Sequence, residues 1–271
     1  MTDKRLIVVR GAGDIATGTI QKLHRAGFLV IATESPLPSA IRRKVSLCEA
    51  VYEGSQTVED ITAVRADTLK EAHNILADGK VAIIVDPSCT LLEEIRPIAV
   101  IDAILAKKNM GTTRHMAPVT IALGPGFIAD KDVDVVIETM RGHNLGKLLF
   151  QGSAMPNTGT PGIIAGVGRE RVIYSPCAGR VAVRKEIGDM AEKGELLAMV
   201  DGQPVPASIG GVVRGMIRDG YTVPAGFKIA DIDPRETERE NCFTISDKAR
   251  CIGGAVLEAV LLLSRSLDKL L

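Results

Sequence analysis

Leu6-Ile7-Val8-Val9-Arg10-Gly11-Ala12-Gly13-Asp14-Ile15-Ala16 is the stretch on which the fold reading turns. Four consecutive apolar residues ahead of a glycine turn read as a parallel strand buried on both faces. Ile15, Ile20 and Leu23 then form an apolar helical face, Gly27 stops that helix, and Phe28 to Ala32 is a second strand. The turn fits the GxGxx(G/A) pattern between strand and helix. In that pattern Gly11 allows the tight turn and Gly13 lets a pyrophosphate approach the backbone. Ala16 lets the helix lie close on the strand. Glu34, at the end of the second strand, stands where a ribose-binding acid belongs. Asp14 opposes the reading, because a carboxylate beside a pyrophosphate is repulsive.

Outward from this unit the alternation continues. Asp67 to Ala77 reads as a helix stopped by Gly79, Val81 to Val85 as a strand, and Ile98 to Ile101 as another. Strands alternating with helices imply a parallel α/β sheet. After about residue 110 glycine becomes frequent, and the β-type runs Pro118 to Leu123 and Val133 to Thr139 lie between the glycines. An internal repeat follows. Ala178-Gly179-Arg180-Val181 matches Gly210-Gly211-Val212-Val213, and the segment from Gly188 to Gly194 matches that from Gly220 to Gly226, both at an offset of 32 residues. Two such halves resemble a barrel-sandwich of the biotinyl/lipoyl-carrier type. A carrier needs a lysine on the hairpin between the halves, and no lysine occurs from Gly194 to Phe227, so covalent biotin or lipoate is not expected. Residues 246–271 read as a closing helix, with Ser246 as N-cap and Asp247 in the first turn. Gly253-Gly254 within it is costly unless a close packing contact requires it.

The expected class is therefore α/β: a Rossmann-like parallel sheet, a β-rich linker region, and a barrel-sandwich β module with a C-terminal helix. The expected boundaries are 1–110 for the nucleotide- or cofactor-binding domain and 111–172 for the Gly-rich connection. The duplicated module takes 173–235, and 236–271 is a helix that packs back.

Composition narrows the function. Of 271 residues, 46% are hydrophobic but only 3% aromatic, with no Trp, so the core is aliphatic and base-stacking surfaces are scarce. Lys plus Arg and Asp plus Glu number 33 each, which removes the overall basic footprint of a nucleic-acid binder. No apolar run approaches the ~20 residues of a membrane span, and no signal-peptide pattern opens the chain. Five scattered cysteines without a CxxC pair fit reduced thiols. A cytoplasmic protein with neither nucleic-acid nor membrane partner is expected, and no metal site; homo-oligomerisation is left open.

Several residues carry candidate chemistry. Arg42-Arg43-Lys44, just past the second strand, can grip a phosphate, Arg bidentately, or serve as a solvated face. Leu123-Gly124-Pro125-Gly126-Phe127 can present backbone N–H groups as an anion nest. Glu138, Arg141 and His143 bring an acid, a cation and an imidazole close together, a set able to hold an oxyanion or move a proton. Cys89 follows a predicted strand at its carboxyl end, where α/β sheets bind ligands, and can hold a soft metal or a selenium species; such a Cys is also a common buried side chain. His143, Glu138 and Cys89 are the catalytic candidates. Gly11, Gly13, Asp14, Glu34, Arg42, Arg43, Gly124, Gly126 and Arg141 are the cofactor-binding candidates.

Arg10 to Gly18 resembles the opening of the selenium-dependent molybdenum-hydroxylase maturation family known as YqeB. So do Ala40-Ile41-Arg42-Arg43, Asp102 to Lys107, Leu123 to Phe127, Ile137 to His143, Asn157-Thr158-Gly159 and Asp231 to Arg235. The start is also similar to that of the XdhC-type insertion chaperones. The resemblance spans nearly the whole chain. It implies an accessory protein that handles or inserts a molybdopterin-type cofactor, with the apo-hydroxylase and a sulfur or selenium donor protein as partners. It assigns no catalytic residue. The competing expectations are an NAD(P)-dependent oxidoreductase, with a dinucleotide on Glu34 and His143 as acid/base, and a non-catalytic scaffold.

Overall fold

The computed structural model describes residues 5–159 and 162–265, and divides into two compact units. The first comprises 1–38, 46–157 and 245–271; the second comprises 39–45 and 158–244. The chain thus leaves and re-enters the first unit twice.

The first unit is a nine-stranded sheet. Its strands are β1 (Leu6–Arg10), β2 (Leu29–Glu34), β3 (Ser55–Val58), β4 (Ile61–Ala66), β5 (Val81–Val85), β6 (Ala99–Asp102), β7 (Val119–Leu123), β8 (Val135–Ile137) and β9 (Leu148–Leu149). The order is β3-β4-β5-β2-β1-β6-β7-β8-β9. Its helices are α1 (Asp14–Arg25), the single turn α2 (Ala50–Glu53), α3 (Leu69–Ala77) and α4 (Asp247–Arg265). The central strands pair in parallel, while β3 and β9 close the two edges antiparallel. β1 to β2 steps one way across the sheet and β4 to β5 steps the other. Right-handed crossovers then put α1 and α3 on opposite faces. The alternation of β1 agrees: Leu6 and Val8 pack with Ala72 and Leu76 of α3.

The expected fold class needs correction. A Rossmann-like sheet takes a helix from every crossover, but the chain from β6 to β7 and from β7 to β8 contains none. The face left bare is covered by α4, which packs along α1, β7 and β8. The stretch expected as a linker supplies β7, β8 and β9 to the same sheet. The sheet is mixed, not parallel.

The second unit holds two four-stranded antiparallel sheets, where a barrel-sandwich module was expected. Its strands are β10 (Val172–Tyr174), β11 (Gly179–Val183), β12 (Met190–Ala191), β13 (Leu196–Val200), β14 (Gln203–Pro206), β15 (Gly211–Met216), β16 (Thr222–Val223) and β17 (Lys228–Asp233). The sheet orders are β10-β17-β15-β12 and β14-β13-β11-β16. The repeat is visible as the triples β11-β12-β13 and β15-β16-β17, each lending its middle strand to the other's sheet. Strands from outside the repeat, β10 and β14, form one edge of each sheet. The core is aliphatic, from Val181, Leu197, Val212, Ile229 and their neighbours.

Candidate functional site

All the parallel strands of the first unit end at one edge, and ligands of open α/β sheets sit outside the carboxyl ends of the strands. Arg10 ends β1, Glu34 ends β2, Asp86 follows β5, Asp102 ends β6, Gly124 follows β7 and Glu138 follows β8.

Arg10 is 1% exposed. A buried guanidinium needs acceptors all round, and the loops supply most of them. Nη1 donates to the Thr112 hydroxyl. Nη2 donates to the Pro87 carbonyl at 2.9 Å and the Met110 carbonyl at 3.2 Å. Nε has no acceptor. The Thr112 hydroxyl in turn donates to Asp102 Oδ2 at 2.5 Å, which lies 3.7 Å from Nη1. Burial raises the Asp102 carboxyl above its ordinary range, against the pull of Thr112, the Ile104 N–H and Arg10. Cys89, 3% exposed, lies within electrostatic reach of Arg10 and Asp102. Burial pushes its thiol up to about 11, Arg10 draws it down and Asp86 raises it further. At neutral pH it is a thiol and a poor nucleophile. Its backbone is left-handed (φ 61°), as are those of Leu105 (φ 59°) and Lys107 (φ 63°). Such strain in non-glycine residues gathers at functional sites.

The glycine turn is built differently from the expectation. Gly11 has φ 94°, and a Cβ there would lie 3.0 Å from the Ala103 carbonyl oxygen. Its N–H is spent on the Thr33 carbonyl at 2.7 Å. Glu34 accepts from the Ala12 N–H at 2.8 Å and the Ser35 N–H at 2.7 Å, so it fixes the turn. Burial raises its carboxyl in spite of both bonds. Gly13 caps α1, and a Cβ there would meet nothing within 4 Å. Asp14 is half-buried in the first turn of α1. Cys48, whose N–H bonds to the Ala12 carbonyl, is pushed well above the thiol range by burial and by Glu34, Glu49 and Asp14.

At the far end of the edge, the Gly124 N–H is spent on the Ile137 carbonyl, and Gly126 lets the Lys108 backbone pass where a Cβ would sit 2.7 Å from it. The Gly124 N–H is thus committed to the sheet, and Gly126 serves the close packing of this loop. Glu138, 3% exposed, accepts from the Met140 and Met155 N–H groups at 2.7 and 2.8 Å, which makes it a loop staple. Arg141 is bidentate to Asp247, in the first turn of α4, at 2.7 and 2.9 Å. His143 is exposed. Lys248, absent from the sequence reading, lies within electrostatic reach of Arg141, Asp14 and Glu138. Burial and Arg141 lower its pKa.

Arg42 and Arg43 belong to the second unit. Arg42 is buried and donates to the Asn241 carbonyl at 3.1 Å. Arg43 donates to the Met216 carbonyl at 2.8 Å and to Glu186 at 3.0 Å. Adjacency in sequence suggested a phosphate grip; the fold uses both as internal ties. Sequence reasoning passed over Arg10 and Thr112. The one signal was a charged residue closing an otherwise apolar buried strand.

Among the described residues no group of three or more His, Cys, Asp or Glu is placed to hold a metal ion, and no helix is long and apolar enough to cross a membrane. No family model matches the chain. The chain is similar to the uncharacterized protein YqeB of Escherichia coli K12, with 48% identity over 259 residues. That match covers 96% of this chain and 48% of YqeB, so the chain spans about half the length of that relative. Among solved structures it is similar to an aspartoacylase family protein from Mesorhizobium loti (15% identity, 84% of this chain and 83% of that one, TM-score 0.26). It is similar to a succinylglutamate desuccinylase from Silicibacter sp. TM1040 (12%, 84% and 84%, TM-score 0.25). It is also similar to the ectoine utilization protein EutE of Ruegeria pomeroyi (13%, 84% and 57%, TM-score 0.23).

Proposed function

We propose that this chain is a cytoplasmic accessory protein in the maturation of selenium-dependent molybdenum hydroxylases, working by binding at the carboxyl edge of its nine-stranded sheet. One observation supports the reading best. Four of the segments that resemble the maturation family, around Gly11, Asp102 to Lys107, Leu123 to Phe127 and Ile137 to His143, all follow parallel strands at that edge. The first is distant in sequence from the other three, and the fold brings all four to the edge where ligands of such sheets sit.

The residues expected to hold the molybdopterin phosphate do not fit that task as a set. The N–H groups of Gly11 and Gly124 are spent in the sheet, and that of Ala12 on Glu34. Arg42, Arg43 and Arg141 are tied to carbonyls or carboxylates. Asp14 and Glu34 add negative charge at the turn. The dinucleotide reading gains nothing from the same geometry, because both oxygens of Glu34 already serve the turn.

The test is genetic and biochemical. In a host carrying such a hydroxylase, deleting the gene should leave the hydroxylase polypeptide present but short of activity and of bound molybdenum or selenium, and wild-type protein should restore both. Unchanged hydroxylase activity and metal content in the deletion strain would end the proposal.

A further inference from the structure

The guanidinium of Arg10 is nine-tenths buried or more, yet its compensation is incomplete. Its close acceptors, Thr112 Oγ1 and the Pro87 and Met110 carbonyls, are all neutral, and its nearest carboxylate oxygen is 3.7 Å away behind the Thr112 hydroxyl. Nε has no acceptor at all. A buried donor left without an acceptor is costly, and an absent ion is one of the reasons a structure keeps one.

The covering chain has the build of a gate. Its first part is pinned. Ala103 and Ile104 lie against Gly11, and Lys108 against Gly126, at approaches no larger residue allows. Its second part, 109–112, is held by Arg10 itself through Met110 and Thr112, and by the Asn109 side chain, which bonds the N–H groups of Gly111 and Thr112 and the Thr112 carbonyl. Left-handed residues, Lys107 and Gly111 (φ 97°), flank the 108–110 span. Residues 106–111 are exposed, and Lys107 and Lys108 bring two cations to the rim.

We propose that the ends of β1 and β6 form a binding site for a tetrahedral oxyanion of the phosphate class, with Arg10 as its anchoring cation and residues 109–112 as its gate. On binding, ligand oxygens replace Met110 O and Thr112 Oγ1 on the guanidinium and supply the acceptor that Nε lacks. Lys107 and Lys108 attract the anion from the rim. Asp102, 3.7 Å from Nη1, is the opposing charge nearest the guanidinium. The site rests on the geometry of the edge and stands whether or not the maturation role holds.

The probes are inorganic phosphate and glycerol phosphate, titrated into the full chain and followed by amide hydrogen exchange and by equilibrium dialysis. Saturable binding is expected, with exchange changing at 109–112 and not in β17. Binding of phosphate but not glycerol phosphate would mark a free-ion site; binding of both would mark an ester site. Either supports the assignment. Arg10→Lys should abolish binding. Because that variant can fail to fold, Lys107→Ala/Lys108→Ala, which leaves the buried contacts intact, should weaken binding several-fold. No saturable binding to wild type, or binding unaltered in the double variant and in a folded Arg10→Lys, would overturn the proposal.

Discussion

At the scale of single residues, the two glycines of the opening turn are glycines for different reasons. Gly11 is required by a positive φ and by the Ala103 backbone against it, whereas Gly13 faces open space. The need for glycine at Gly11 was legible in sequence; its cause, a strand-end loop passing 3 Å away, was not. Glu34 was legible as an acid in a meaningful place, and its work is to hold the turn. Its carboxyl carries a testable signature. Burial raises its folded value above the ordinary 4.5, so the native state keeps the proton to higher pH than the unfolded chain does. The stability this proton confers is full below about 4.5 and is lost as pH rises through the folded value. Glu34→Gln, which cannot ionise, should therefore gain stability relative to wild type as pH rises through that window. Urea unfolding of both proteins across a pH series reads the difference, and a constant gap would contradict it.

Among the elements, the contact of α1 with α4 decides most. A Cβ on Gly18 would lie 2.5 Å from the Ala249 carbonyl oxygen, and one on Gly253 2.4 Å from the Gly18 carbonyl oxygen, so the helices touch backbone to backbone. The glycine pair in the closing helix calls for a close contact, and Gly253 has it. Gly254 meets nothing within 4 Å. Ser246 caps the helix through its hydroxyl and the Ala249 N–H, at 3.2 Å; the expected tail 266–271 lies outside the described residues. Gly254→Ala should stabilise the protein by up to about 1 kcal/mol from helix propensity alone. Gly253→Ala should destabilise it by about 1–3 kcal/mol, because backbone cannot yield as a side chain does. Denaturant midpoints measure both, and equal effects at the two positions would refute the packing account.

For the whole molecule, the notable fact is discontinuity. Residues 39–45 belong with 158–244, and Arg42 reaches carbonyls about two hundred residues away. Within the second unit the Ile41 carbonyl accepts from Met216 N–H at 2.8 Å, so this short segment extends the ties of β15. Arg42→Ala should therefore lower hydrogen-exchange protection in β15 and around Asn241 while the strands of the first unit keep theirs. Loss spread evenly over the chain, or no loss at all, would argue against that placement.

The sequence by itself determined what is local. The periodicity of β1, β2, β5, β6 and β7, the ends of α1, the start of α4, and the 32-residue repeat are all written in runs of neighbours. Those patterns report which residues prefer to be buried and with what period. The tertiary structure alone decided how far the sheet extends and what covers it. The local pattern of 111–157 shows two β-type runs but not that they join the sheet of the first unit together with β9, because pairing partners are chosen by the surfaces other segments leave open. The same holds for the Gly11-Ala12-Gly13 turn. Its pattern marked a place where backbone comes close to something. Only the fold showed that the something is Ala103 and Glu34, and that the buried cation beside it is Arg10.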